Sequence, residues 1–488
     1  MNALFSLIHS LSPSEKRYFK LFAQRQVQTK STNYAKLFDA INEQEFYCEA
    51  DLLKKFRKEN FVKQFAVTKH YLFQMILKSM EEYNEETFAE WKIRNQYLQI
   101  KILASKGLDA EAEKLIHKTK ELAWQHELYN VILDVIDIEK YLYGNFRIGS
   151  FTFEAFELIQ NEEAKASTII VTYQQLRNVW HLLTLLELKM PTESAEWILS
   201  QAKNFVSVNC MQQEPAISFN SKFRYYSTWS LYYSITNNQI ANYDCCKKAI
   251  EIRENQILAQ PWLNLDPLAS YYNFLIACEK ANKWDDFTLY LNKIKEYKAT
   301  TIEVNIRRMH NYCWCGLMYC LHLNKLNEAK AIIAEYKSFF IDKQLSFRED
   351  FKIYIEAACG LVCFFNKEYH QALHWWSYII NNPPAKVEHR TQGAVRLYLL
   401  MLHVEEQNTD VVEYVANQAK NFLKQHQLFK QPEQLFIKGL KLIAQINDRK
   451  ATLEAFAVLH NQLLDTQFTI NGNAFNQFML QWVKNKWA

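Results

Sequence analysis

The chain has 488 residues, 49% apolar and 15% aromatic, with a formal net charge of +4, enough apolar material for one large or one long continuous core. Its eight glycines and eight prolines are few: roughly a quarter of the glycine that average usage supplies. Sheet turns draw heavily on glycine, so composition excludes a sheet protein and predicts an all-α chain.

The charge is unevenly placed. Residues 1–80 carry 13 Lys and Arg against 7 Asp and Glu, whereas residues 81–488 carry 44 against 46. The opening MNALFSLIHSL has no basic stretch before its apolar residues and stops at Ser12-Pro13, unlike a secretory signal. No apolar run approaches the ~18 residues of a membrane span. Ten scattered cysteines then predict reduced thiols in a cytoplasmic protein.

Residues 1–90 read as a basic N-terminal helical domain. In SLSPSEKRYFKLFAQ, Ser12 is placed to cap a helix, Pro13 to open it and Glu15 to reach back as a capping box. EADLLKKFRKENF and FAVTKHYLFQMILKSM follow as two amphipathic helices. They bring Lys54, Lys55, Arg57, Lys58, Lys63 and Lys69 as candidate phosphate contacts. Two helices joined by a turn suggest a helix-turn-helix, although KENFVKQ lacks the glycine such turns often carry.

A repeat dominates residues 91–465. Asn282, Asn324, Asn366 and Asn408 are each 42 residues apart, and each precedes an apolar stripe at i, i+3, i+4 and i+7. Gly107, Gly149, Pro191, Asn238 and Asn447 extend the series at similar steps. Each unit reads as a helical hairpin, and about nine would share one long core by stacking. Between antiparallel helices one turn residue must be left-handed, which Gly and Asn tolerate best. Gly107, Gly149 and the asparagines would fill that role, with Asp109, Asp285 or Thr409 capping the second helix. Residues 466–488, ending in NAFNQFMLQWVKNKW, read as a C-terminal capping helix.

The repeat resembles the tetratricopeptide-repeat superfamily over roughly residues 90–465. In the closest unit Gly360, Cys363, Tyr369, Ala372, Trp376, Ile379 and Pro384 stand where that motif places its small, large, aromatic, apolar and terminating residues. Stretches from Gly316 to Tyr336 and from Tyr233 to Ile252 match more weakly. The period is about 42 rather than the family's 34, so helices or turns are longer. The resemblance implies a right-handed superhelical α-solenoid of stacked hairpins. It also implies a concave face lined by first helices, with Arg224, Thr228, Asn273, Asn311, Tyr354 and Phe365 as partner-binding candidates.

Catalytic signatures are missing. The glycines are too scattered for a phosphate-cradling loop, and neither HExxH nor GxSxG occurs. No catalytic residue and no cofactor is predicted. His370 and His374 share a helix face, and Cys359 and Cys363 share the preceding one, but zinc knuckles are absent. Buried cysteines and surface histidines are therefore expected, with no metal. Aromatic doublets such as Tyr225-Tyr226, Phe364-Phe365 and Trp375-Trp376 would place one ring of each pair in the core. The expectation is a non-catalytic scaffold whose surface takes an amphipathic helix or extended apolar segment of a protein or peptide partner. The alternative is a nucleic-acid-binding regulator using residues 1–90.

Overall fold

The computed structural model describes residues 3–26, 31–44, 46–149, 152–190, 193–208, 215, 218–260, 265–299, 301–341, 349–381, 389–466 and 476–487. Among them are 23 α-helices and no strand, as the scarcity of glycine and proline predicts. Helices adjacent in sequence pack in neighbouring pairs. The chain divides into two compact units, Met1–Ser270 and Tyr271–Ala488.

Most hairpins close with one device. A residue with positive φ follows the first helix, and the next amide donates to the carbonyl five residues back. Such bonds run from Leu108 to Leu103 (3.0 Å), Asn238 to Tyr233 (2.9 Å), Lys283 to Cys278 (2.8 Å), Glu368 to Cys363 (2.8 Å) and Leu428 to Leu423 (2.7 Å). This is the Schellman arrangement, which satisfies carbonyls that a helix end leaves open. Gly107, Asn282 and Asn324 are left-handed at the helix end, as the sequence spacing predicts; Gly149 also has positive φ, but the residue that closes the end of Tyr129–Gly144 is Phe146. At three other turns the residue is displaced by one: Asn237, Lys367 and Gln407 take the conformation instead of Asn238, Asn366 and Asn408. A non-glycine residue pays only about 1–2 kcal/mol there, so helix packing rather than residue type sets the position. The displaced asparagines act nearby. Asn238 Oδ1 accepts from Ala241 N at 3.2 Å, and Asn366 Nδ2 donates to Val362 O at 3.0 Å.

Two further expectations are corrected. Asp109 and Asp285 lie within the first turns of their helices, and neither those helices nor the one after Asn408 has a side-chain cap bond. Asp109 instead receives Arg147, whose Nε is 3.0 Å from Oδ2. The turn expected between the units at Gly149 and Pro191 does not form. Phe153–Lys189 is a single helix of 37 residues, about 55 Å long. No Gly or Pro interrupts it, so nothing local breaks its backbone ladder. Pro191 and Pro384 lie outside the described residues.

In the N-terminal unit, helices Ala3–Ser10, Pro13–Gln26, Ser31–Asn42, Glu49–Lys55 and Phe65–Thr87 surround a core that includes Ile8, Phe19, Phe38, Ile41, Leu72 and Ile76. The capping box forms as predicted: Glu15 N is 3.3 Å from Ser12 Oγ, and Ser12 N is 2.7 Å from Glu15 Oε2. Glu49–Lys55 and Phe65–Thr87 are joined through residues 56–64, which include a 3-10 turn. That is longer than the turn of a helix-turn-helix. A second core gathers residues of Ala89–Ser105, Asp109–Gln125 and Tyr129–Gly144 with the long helix. Buried inside it, Lys120 Nζ lies 2.7 Å from both Glu139 and Glu162. These charges are paired, which is the condition under which buried ions are tolerated.

The C-terminal unit is built of hairpins: Trp284–Glu296 after Leu268–Lys280, Leu326–Tyr336 after Ile302–His322, Tyr369–Asn381 after Glu349–Phe365, Thr409–Gln425 after His389–Glu405, and Arg449–Asp465 after Gln431–Ile443. From Ile302–His322 onward, successive first helices pack on one another. They are accordingly buried on several faces, as in the unbroken buried run from Ile355 to Phe364. Gly360 is needed in that run because the Trp376 indole lies across its backbone, where a Cβ would collide. The same indole donates to Ala357 O at 3.2 Å.

Candidate functional site

The last helix, Asn476–Trp487, is amphipathic, with Phe478, Met479, Trp482 and Val483 buried and Lys484 exposed. It packs chiefly on Arg449–Asp465 and reaches the ends of three first helices. At His322, the last residue of its helix, the ring lies 5.3 Å from Phe478 and 5.6 Å from Trp284. His322 Nε2 is 2.8 Å from Glu279 Oε1 and 3.1 Å from the Gln477 amide nitrogen. Trp482 lies 6.3 Å from Phe364 and 5.5 Å from Phe456. Its indole N–H donates to Glu405 Oε1 at 2.6 Å, and Lys486 Nζ donates to Glu405 Oε2 at 2.7 Å. Trp487 is 5.5 Å from His460.

The electrostatics follow from the helix ends. Terminal carbonyls give a helix C-terminus a negative partial charge. His322, Phe364 and Glu405 sit at or beside three such termini. Glu405 adds a full charge, and its side chain is only 14% exposed. A helix with aromatic anchors at i and i+4 and a base at i+8 complements that surface, a helix-in-groove mode of recognition. The sequence marks the helix but not its seat, because the anchoring partners lie up to 155 residues away.

The predicted partner-binding residues are distributed differently. Asn273 is exposed. Tyr354 is half-buried beside Trp314, ring centroids 5.7 Å apart, and Phe365 is half-buried beside Phe364. Asn311 is buried, with Oδ1 3.1 Å from His310 Nδ1. Those four belong to the C-terminal unit, and Arg224 and Thr228 to the N-terminal one. Thr228 is fully buried, its hydroxyl donating to Arg224 O at 2.8 Å. Arg224 is half-buried over the face of Trp180.

Of the six basic candidates, Lys55 pairs with Glu43 at 3.0 Å and Lys69 with Glu49 at 2.5 Å. Lys54, Arg57, Lys58 and Lys63 are exposed, with no carboxylate partner among the described residues. Cys313, Cys315, Cys320, Cys359 and Cys363 are buried free thiols, and His370 and His374 are exposed, as expected. Burial pushes the Cys313 thiol up to about 12 and those of Cys320 and Cys363 to about 11. No group of three or more metal-ligating side chains occurs among the described residues. Most aromatic doublets divide between core and boundary, but Trp375 and Trp376 are both buried. No described helix is long and apolar enough to cross a membrane. Comparison with described protein families, with curated proteins and with solved structures finds no match for the chain.

Proposed function

We propose that the chain is a non-catalytic, tetratricopeptide-like scaffold whose hairpins stack within each unit as a right-handed solenoid. Its C-terminal unit recognises an amphipathic helix of a protein partner. The observation that carries this reading is the seat of Asn476–Trp487, where three first-helix ends hold a Phe-Trp-Lys helix through ring packing and the Glu405 carboxylate. A partner helix of the same chemistry would use that seat when the chain's own helix leaves it. The nine described cysteines are all free, which supports a reducing, cytoplasmic setting.

The test compares the full chain with one ending at Asp465, using a labelled peptide of residues 474–488 as probe. The shortened chain is expected to bind the peptide at least about tenfold more tightly than the full chain, and a Trp482→Ala peptide to lose most of that affinity. Equal weak binding to both chains, with the shortened chain still folded, would remove the reading.

The second reading, nucleic-acid binding through residues 1–90, is favoured by Lys54, Arg57, Lys58 and Lys63 being exposed and without acid partners. Each phosphate contact contributes by counterion release. Replacing all four by Gln should then lower both affinity for a nucleic-acid duplex and its salt dependence. Binding unchanged by the replacement would reject it.

A further inference from the structure

We infer that Arg224 and Arg253, on opposite arms of one hairpin in the N-terminal unit, form a binding site for a phosphoryl oxyanion. The arms are Phe219–Ile235 and Gln239–Ala259, joined at Asn237, and the two arginines lie at similar distances from that turn. Each guanidinium is held against an aromatic face: Arg224 is 4.7 Å from the centre of the Trp180 ring, and Arg253 is 4.0 Å from that of Phe223. Both are half-buried. Stacking of this kind orients the planar fork and leaves its N–H edges free to donate.

The donors are poorly used inside the protein. Arg253 Nη1 donates to Gln256 Oε1 at 2.8 Å, whereas the enclosed Nε of Arg224 has no acceptor among the described residues. Neither arginine has an ion pair with a described carboxylate. The carboxylate that acts on Arg253 is that of Glu127, and it is committed elsewhere. It accepts from Ser218 Oγ at 2.9 Å, from the amides of Phe219 at 2.7 Å and Asn220 at 3.2 Å, and from Asn220 Nδ2 at 2.8 Å. Burial first, and then the charge of Arg224, hold Arg253 below the ordinary arginine range. A half-buried arginine that lies beside a like charge and has no counterion among the described residues is costly unless an anion answers it.

The chemistry of two guanidinium forks favours one class of anion. One carboxylate presents a single edge and one charge, enough for one fork. A phosphoryl group is tetrahedral, near-dianionic at neutral pH and can face forks from two helices at once. A relay also sets Arg253 in place: Gln256 Nε2 reaches Gln260 Oε1 at 3.3 Å, and Gln260 Nε2 donates to Gln125 O at 2.7 Å.

The test is thermal unfolding of the full chain with inorganic phosphate, glycerol phosphate or acetate at matched ionic strength. Arg224→Met and Arg253→Met are compared with the surface variant Arg94→Gln. In phosphate-free buffer both Met variants should unfold at or above the parent temperature, because each relieves the like-charge pair. Phosphate at ten times its dissociation constant should raise the parent and Arg94→Gln by about 2–5 °C and leave both Met variants unmoved. Inorganic phosphate acting without glycerol phosphate would assign the free ion, and the reverse an esterified group; either supports the site. An equal shift in all four proteins, an equal effect of acetate, or no shift in the parent would overturn it, whatever the outcome of the helix-peptide test.

Discussion

An alanine at position 360 would drive its Cβ into the Trp376 indole, so the smallest possible addition is the most informative change in the C-terminal unit. Gly360→Ala is expected to destabilise by about 1–3 kcal/mol through overpacking, read as a lower urea midpoint. Combining it with Trp376→Phe should recover part of that loss. Glu356 makes the opposite point, that a residue can be badly solvated rather than badly packed. Burial pushes its carboxyl up to about 7, outweighing Lys352, whose Nζ is 3.6 Å away, and a hydrogen bond with Tyr336. The fold therefore holds the proton more tightly than the unfolded chain does. Its contribution is fully present below the unfolded carboxyl range near 4.5 and is lost as pH rises through about 7. Glu356→Gln should flatten that dependence and stabilise the protein at pH 8 by up to roughly 3 kcal/mol. A stability profile between pH 4.5 and 8 that is identical in parent and variant would contradict it.

At the scale of elements, the hairpin turns and the long helix are where local preference and packing part company. Lys367 and Gln407 have φ of 61° and 55°, and an L-residue pays for that backbone. Lys367→Gly should stabilise by about 1 kcal/mol, whereas the same change at Asn366 should not, which chemical denaturation can distinguish. The turns at Asn282 and Asn324 were legible because their residue type and geometry agree. The turns at Glu127, Phe146 and Gln427 carry no such signal, since none of them places a Gly or Asn at the left-handed position. Phe153–Lys189 was misread for the complementary reason: the repeat spacing suggested a break that no residue supplies. Glu162, in the first third of that helix, helps hold buried Lys120 together with Glu139. Lys120→Met leaves two carboxylates unpaired and should cost about 3–5 kcal/mol, whereas adding Glu139→Leu and Glu162→Leu should restore much of it.

For the whole molecule, the thiols report on each unit separately. Cys313, Cys315, Cys320, Cys359 and Cys363 are buried with thiols held above their ordinary range, whereas Cys48 and Cys245 are half-buried. A thiol reagent followed by mass spectrometry should modify Cys48 in the native protein and leave those five untouched until the C-terminal unit unfolds. Early labelling of the five would mean that this unit opens locally.

The sequence by itself determined the helical class, the Ser12–Glu15 cap and the apolar stripes of the hairpins, because each depends on residues within a turn or two of helix. Only the tertiary structure decided which residue at a turn is left-handed, that residues 153–189 run unbroken, and where Phe478, Trp482 and Lys486 come to rest. It also brought Arg224 and Arg253 onto facing arms without a counterion. These features depend on side chains tens to more than a hundred residues apart sharing one solvent-excluded space. A charge or ring gains its partners there from packing, and no local periodicity encodes that choice.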